Sequence, residues 1–189
     1  VLPWATDAAS VTRRELGLEA VSAEQIHTFA PRIATAVRRA ALFLKQLTTL
    51  VVRHNGADIL HIKRTSATNQ LHLTEDDQTT IWHILQGDFN RDAIAQRHPS
   101  ITFHRKTRVT VAIPAAQNLT QGRLYATLPS ETEPPFPVCI NADFFPTVDR
   151  KQLRFGDDYR GDWNRTILQT AATILRDAVP MLPALLGVE

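Results

Sequence analysis

Residues 47–88 read LTTLVVRHNGADILHIKRTSATNQLHLTEDDQTTIWHILQGD, and this stretch decides the fold class. The segments LTTLVVRH, ADILHIKRT, NQLHLT and TTIWHILQGD are rich in β-branched and aromatic residues, and polar turns such as His54-Asn-Gly-Ala57 separate them. That pattern predicts an antiparallel meander. His61, His72 and His83 each sit in one of these strands among apolar neighbours, which invites a metal site. A half-exposed sheet places polar residues along one face, so solvent-facing histidines are the preferred reading.

Working outward, Ser22-Ala-Glu-Gln25 matches a capping box and predicts a helix start. Ile26, Phe29, Ile33, Val37, Ala40 and Leu44 follow at helical spacing, with Pro31 expected to kink or restart the helix. Residues 1–21 lack sustained periodicity and read as a linker, leaving 22–189 as one domain with N- and C-terminal helices. Downstream, Asn90 to His98 suits a short helix closed by Pro99, and ITFHRKTRVTVAIP (residues 101–114) suits a long strand. RLYATLP and PFPVCINADF supply two more strands around a polar loop from Ser130 to Pro135. A last helix has Trp163, Ile167, Leu168, Ala171, Ile174, Leu175, Ala178 and Val179 on its apolar side, with Asp162 as N-cap and Pro180 and Pro183 as terminators. The order is α+β, with a mixed, mostly antiparallel sheet and packed helices.

A chain of 189 residues with 43% hydrophobic content can bury one good core, and a formal net charge of +2 does not announce a nucleic-acid protein. The lone cysteine, Cys139, lies in the apolar run PVCIN, which excludes an internal disulfide and a multi-cysteine zinc motif. No apolar run has the length of a membrane span, and VLPWATDAAS lacks the make-up of a signal peptide, so the expectation is a reducing cytoplasm. Because the sequence opens on Val1 rather than Met, it is read as a domain excised from a longer chain.

Several chemistries lack their motifs. The seven glycines form no Gly-x-Gly, which removes the Walker and Rossmann phosphate loops, and neither G-x-S-x-G nor H-E-x-x-H occurs. Asp143, Asp149, Asp157, Asp158 and Asp162 could gather around magnesium for phosphoryl transfer, although aspartates also favour loops and caps. His104-Arg105-Lys106-Thr107-Arg108 could track nucleic-acid phosphates, but it has few aromatic companions, and a charged edge strand explains it equally well. A nucleic-acid-binding module and a magnesium-dependent phosphoryl-transfer enzyme therefore stand as alternatives.

The polar corner Asn141-Ala-Asp-Phe-Phe-Pro-Thr-Val-Asp149-Arg150-Lys151, followed by Asp162-Trp163-Asn164, lies in apolar surroundings and reads as a functional edge. LFLKQLTTLVV (42–52), RLYATLPSETEPPFPVCINADFF (123–145), TVDRKQL and DWN (162–164) resemble the region that follows the ATPase domain in sacsin-like and related GHKL proteins. That superfamily includes the heat-shock chaperone, gyrase and MutL ATPases. The resemblance covers most of residues 42–179. It implies a second, transducer-type domain with a left-handed βαβ crossover that does not hydrolyse ATP alone. ATP and magnesium would be held by a preceding GHKL ATPase domain, the expected partner, and homodimerisation enters by analogy only. Arg150 matches the residue that reaches the γ-phosphate on domain closure, with Lys151 as the substitute; a planar guanidinium can meet two phosphate oxygens. The competing role for Arg150 is a surface ion pair with Asp149 or Asp143, worth about 0–1 kcal/mol. Asn141 is expected to satisfy backbone groups where its strand breaks, Trp163 to anchor the last helix, and Asn164 to bond back to the corner.

Overall fold

The computed structural model describes residues 11, 15–17, 22–101, 104–115, 121–134 and 136–186. Apart from residues 11 and 15–17, the expected linker 1–21 lies outside them, as do Pro135 and the side chain of Ile26. The fold is α+β. Among the described residues, eight strands form one mixed, mostly antiparallel sheet in the order β1-β2-β3-β4-β5-β8-β6-β7.

Helix α1 (Ala23–Ala40) starts at the expected capping box, with the Ser22 hydroxyl accepting from Gln25 N–H at 3.1 Å and the Gln25 side chain accepting from Ser22 N–H at 2.8 Å. It runs through Pro31 as one helix, where a kink or restart was expected. The buried stripe also differs: Ala30, Ala34, Ala40 and Ala41 face the protein, whereas Phe29 and Ile33 are exposed. The small side chains make the fully buried contact, while Val37 and Leu44 of the expected stripe pack at its margin.

The meander follows as β1 (Thr49–His54), β2 (Ala57–Ala67), β3 (Gln70–Glu75) and β4 (Gln78–Asp88), each antiparallel to the next. The two-residue connections Asn55-Gly56 and Asp76-Asp77 have both residues at positive φ, which matches the twist of paired strands. Arg38 ties α1 to the meander through Glu75, with Nε 2.7 Å from Oε2.

Helix α2 (Asp92–Arg97) leads to β5 (Arg108–Pro114), which pairs with β4 on one side and β8 (Cys139–Asn141) on the other. The expected long strand therefore begins at Arg108, not Ile101. It is central rather than an edge, and both of its faces are buried from Val109 onward. Its basic lead-in is drawn away from pairing because Lys106 N–H donates to the Asp143 carboxylate. RLYATLP is likewise divided, into β6 (Arg123–Ala126) and β7 (Leu128–Pro129), by Thr127 at φ +71°. β6 runs parallel to β8, and the connection through β7 carries no helix among its described residues.

The last helix, α3 (Tyr159–Ala178), starts one turn earlier than expected. Asp158, not Asp162, is its N-cap, accepting from Arg160 N–H at 3.1 Å and Gly161 N–H at 2.9 Å. The long α-helix ends at Ala178, just before Pro180 as expected, but helical structure continues past both prolines: Pro180 sits in the first turn of a 3₁₀ segment (Val179–Met181), which leads into α4 (Leu182–Leu186). Val179 is exposed rather than on the buried face.

Helices cover opposite faces of the sheet. Leu85, Val109, Val111, Ile113, Leu124 and Ile140 pack with Trp163, Ile167 and Ala171 of α3. On the other face, Leu42 and Phe43 cover Leu71, Ala112, Tyr125 and Cys139, while Ala34 and Ala41 pack with Leu50, Leu60 and Ile62. Among the described residues, no helix is long and apolar enough to cross a membrane.

Candidate functional site

After β8 the chain turns back on itself in a short hairpin with Arg150 near its tip. Pro146 forms an isolated antiparallel bridge with Leu153, outside the main sheet. Arg154 N–H donates to Phe145 C=O at 3.0 Å, and Thr147 N–H donates to Gln152 C=O at 2.8 Å. Arg150 N–H donates to Thr147 C=O at 2.9 Å, closing the turn. Within it, Asp149 accepts from the Thr147 hydroxyl at 2.6 Å and from Lys151 N–H at 3.1 Å, and these bonds hold its carboxyl below the usual range.

Asn164 braces the base of this hairpin. Fully buried in the first half of α3, it accepts from Phe145 N–H at 2.8 Å and donates to Phe145 C=O at 2.8 Å and Arg154 C=O at 2.7 Å. One carboxamide thus joins both hairpin strands to the helix. Trp163, also fully buried, donates from Nε1 to Asp143 C=O at 2.9 Å, and Phe145 packs edge-on against Trp163 and Tyr159. Gly161 permits the close approach of α3: a Cβ there would lie 1.8 Å from Gly156 C=O.

Arg150 is exposed and has φ +59°, a left-handed conformation unfavourable for a non-glycine residue. The two carboxylates considered as its partners are engaged elsewhere. Asp149 is held within the turn, and Asp143 binds Arg105, whose guanidinium also lies 3.8 Å above the Phe145 ring. Lys151 is exposed, and its carbonyl accepts from Glu131 N–H at 2.6 Å. Asn141 accepts from Thr127 N–H at 3.0 Å, satisfying the backbone where β6 and β7 divide.

The other sequence candidates separate. Asp143 binds Arg105, Asp158 caps α3, and Asp162 meets Arg165 at 2.8 Å, His98 at 3.0 Å and Arg97 at 3.2 Å. Bonds from Arg165 and then His98 hold the Asp162 carboxyl below its ordinary range. Among the described residues, no three His, Cys, Asp or Glu side chains are grouped for a metal. His83 is buried, against the expectation that it faces solvent, and its Nε2 has no hydrogen-bond partner.

The basic stretch is divided as well. Arg105 turns to Asp143, and Arg108 meets Asp88 at 2.8 Å. Lys106 and Arg108 line a recess of about 440 Å³ with Lys45. A second recess of about 300 Å³ shares Phe43, Lys45 and Thr110 with the first and adds Arg64. Burial lowers the pKa of Lys45 from the ordinary lysine value, and the positive charges of Arg108, Arg64 and Lys106 lower it further. Sequence reading missed Lys45 and Arg64 as companions of the basic stretch, because they lie 59 and 40 residues before His104, where it begins. The available signal was the lysine that ends LFLK, the first polar residue after an apolar run.

No family model, curated protein or solved structure matches the chain.

Proposed function

We propose that this chain is a non-catalytic, transducer-type domain of a larger GHKL, chaperone-like ATPase, coupling nucleotide-driven closure to movement or partner binding. In this reading a preceding ATPase domain holds ATP and magnesium, and closure brings Arg150 to the γ-phosphate. The supporting observation is the braced hairpin: Asn164 secures its base, while Arg150 stands exposed near its tip with Asp143 and Asp149 engaged elsewhere. The turn's backbone is already held in place, so only the side chain of Arg150 has to be ordered when it meets a phosphate, which suits a contact realised on closure. The left-handed βαβ crossover implied by the resemblance belongs to the same proposal; α3, which packs on β4 and β5, follows the last described strand and is not its helix.

The full-length Arg150→Ala protein is expected to lose ATP turnover by at least about tenfold while keeping its ATP affinity, given that trans-acting arginines in GTPases are worth ~10³–10⁵. Lys151→Ala should have the smaller effect. Unchanged turnover in both variants removes the hairpin from this role, and magnesium-dependent ATP hydrolysis by the 189-residue chain alone overturns the non-catalytic reading.

A further inference from the structure

We propose that the joined recesses beneath residues 43–47 bind a small phosphorylated ligand, a di- or triphosphate, through Lys45, Lys106 and Arg108, with Arg64 as a donor in the inner part. This site belongs to the chain itself and is independent of the hairpin carrying Arg150.

The larger recess, about 440 Å³, falls in the range of small-molecule sites. Among the described residues, three cations line it, and the lone acid is Asp143, whose carboxylate is occupied by Arg105 and Lys106 N–H. The smaller recess brings in Arg64 and no acid. Four positive side chains are thus gathered around the space; Arg108 is paired with Asp88 at 2.8 Å, while Lys45, Lys106 and Arg64 have no ion pair among the described residues, so their like charges favour an entering anion. Arg64 adds a direct sign of an unmet partner: its Nε is buried and makes no hydrogen bond, although its NH1 donates to Ser66 Oγ at 3.1 Å.

The wall also carries backbone strain. Thr127 lines the larger recess at φ +71°, a costly conformation for a β-branched residue, and Asn141, another lining residue, holds its N–H at 3.0 Å. Ammonium and guanidinium groups supply charge-assisted hydrogen bonds to phosphate oxygens. The shape favours a small ligand over a nucleic-acid strand. Among the described residues, Phe43 is the sole aromatic lining either recess, and its ring is packed edge-on against Tyr125 at 4.7 Å, leaving no platform there on which bases could stack.

Titration of the 189-residue chain with tripolyphosphate, followed by calorimetry and by amide NMR shifts, tests the site. One ligand should bind per chain, shifting the Thr127 and Asn141 amides. Lys45→Gln and Lys106→Gln should each weaken binding roughly tenfold, the scale of one charge-assisted hydrogen bond. Arg150→Ala should bind like wild type, so loss of the hairpin's role leaves this site intact. Absence of saturable binding, equal affinity in Lys45→Gln, or shifts confined to residues 147–152 overturns the proposal. A single-stranded oligonucleotide that binds more tightly than tripolyphosphate, with affinity falling steeply in salt, also overturns it, in favour of a nucleic-acid surface.

Discussion

The carboxamide of Asn164 is bonded to the backbone of Phe145 in both directions, accepting from its N–H and donating to its C=O, each at 2.8 Å. Because the same NH₂ group also reaches Arg154 C=O, this one buried side chain connects α3 to both strands of the hairpin that carries Arg150. Asn164→Ala should therefore destabilise the protein by about 3 kcal/mol, since buried backbone groups lose partners that water cannot replace. A lower urea midpoint with an unchanged slope is the expected result. Hydrogen exchange should accelerate in residues 147–152 more than in β2 or β3.

Gly161 is required for a steric reason. With a Cβ only 1.8 Å from Gly156 C=O, Gly161→Ala must displace the entry to α3 even though alanine is the better helix former. The expected loss is about 2 kcal/mol or more, read by denaturation. A gain in stability would show that the loop at Gly156 yields freely.

Alkaline pH should weaken the fold through two groups under residues 42–43. Burial raises the Cys139 thiol to about 11 and pushes the Tyr125 hydroxyl well above its ordinary value. Folding therefore favours the neutral forms. Their contribution is complete below the unfolded thiol value near 9 and, for Cys139, is lost as pH rises towards about 11. Denaturation midpoints should fall across that window. At pH 8 the native thiol should resist alkylation and become reactive after unfolding.

Lys45 bears the opposite cost. Its pKa is lowered, so its charged form is disfavoured in the folded state at neutral pH. Lys45→Met should raise the melting temperature near pH 7, with the advantage fading as pH rises from the lowered value past the unfolded value near 10.5. The same substitution should reduce the stabilisation by added tripolyphosphate, in step with a roughly tenfold weaker affinity. Thermal scans across pH, with and without that anion, measure both effects.

Much of the fold was legible because local chemistry and tertiary structure agree. The capping box at Ser22, the Asn55-Gly56 turn and the alternating strands of the meander are set by neighbouring residues, and each occurs where the pattern places it. Reading failed where a distant group competed. Ile101 to Thr107 has the composition of a strand, but Asp143 takes Lys106 N–H; Asp162 has the composition of a cap, but Asp158 reaches the free amides first. Phe29 and Ile33 fit an apolar stripe, but alanines make the closer contact.

The same division holds for the candidate sites. By itself the sequence determined an α+β chain with a meander, a buried cysteine and a polar corner around Arg150, because those features depend on periodicity and on residues close in the chain. Only the tertiary structure decided that Asn164 braces the hairpin and that Lys45 and Arg64 join Lys106 and Arg108 around shared recesses. Strand pairing and the crossing of residues 43–47 over the sheet set those proximities, and no local pattern records which distant charges a sheet will bring together.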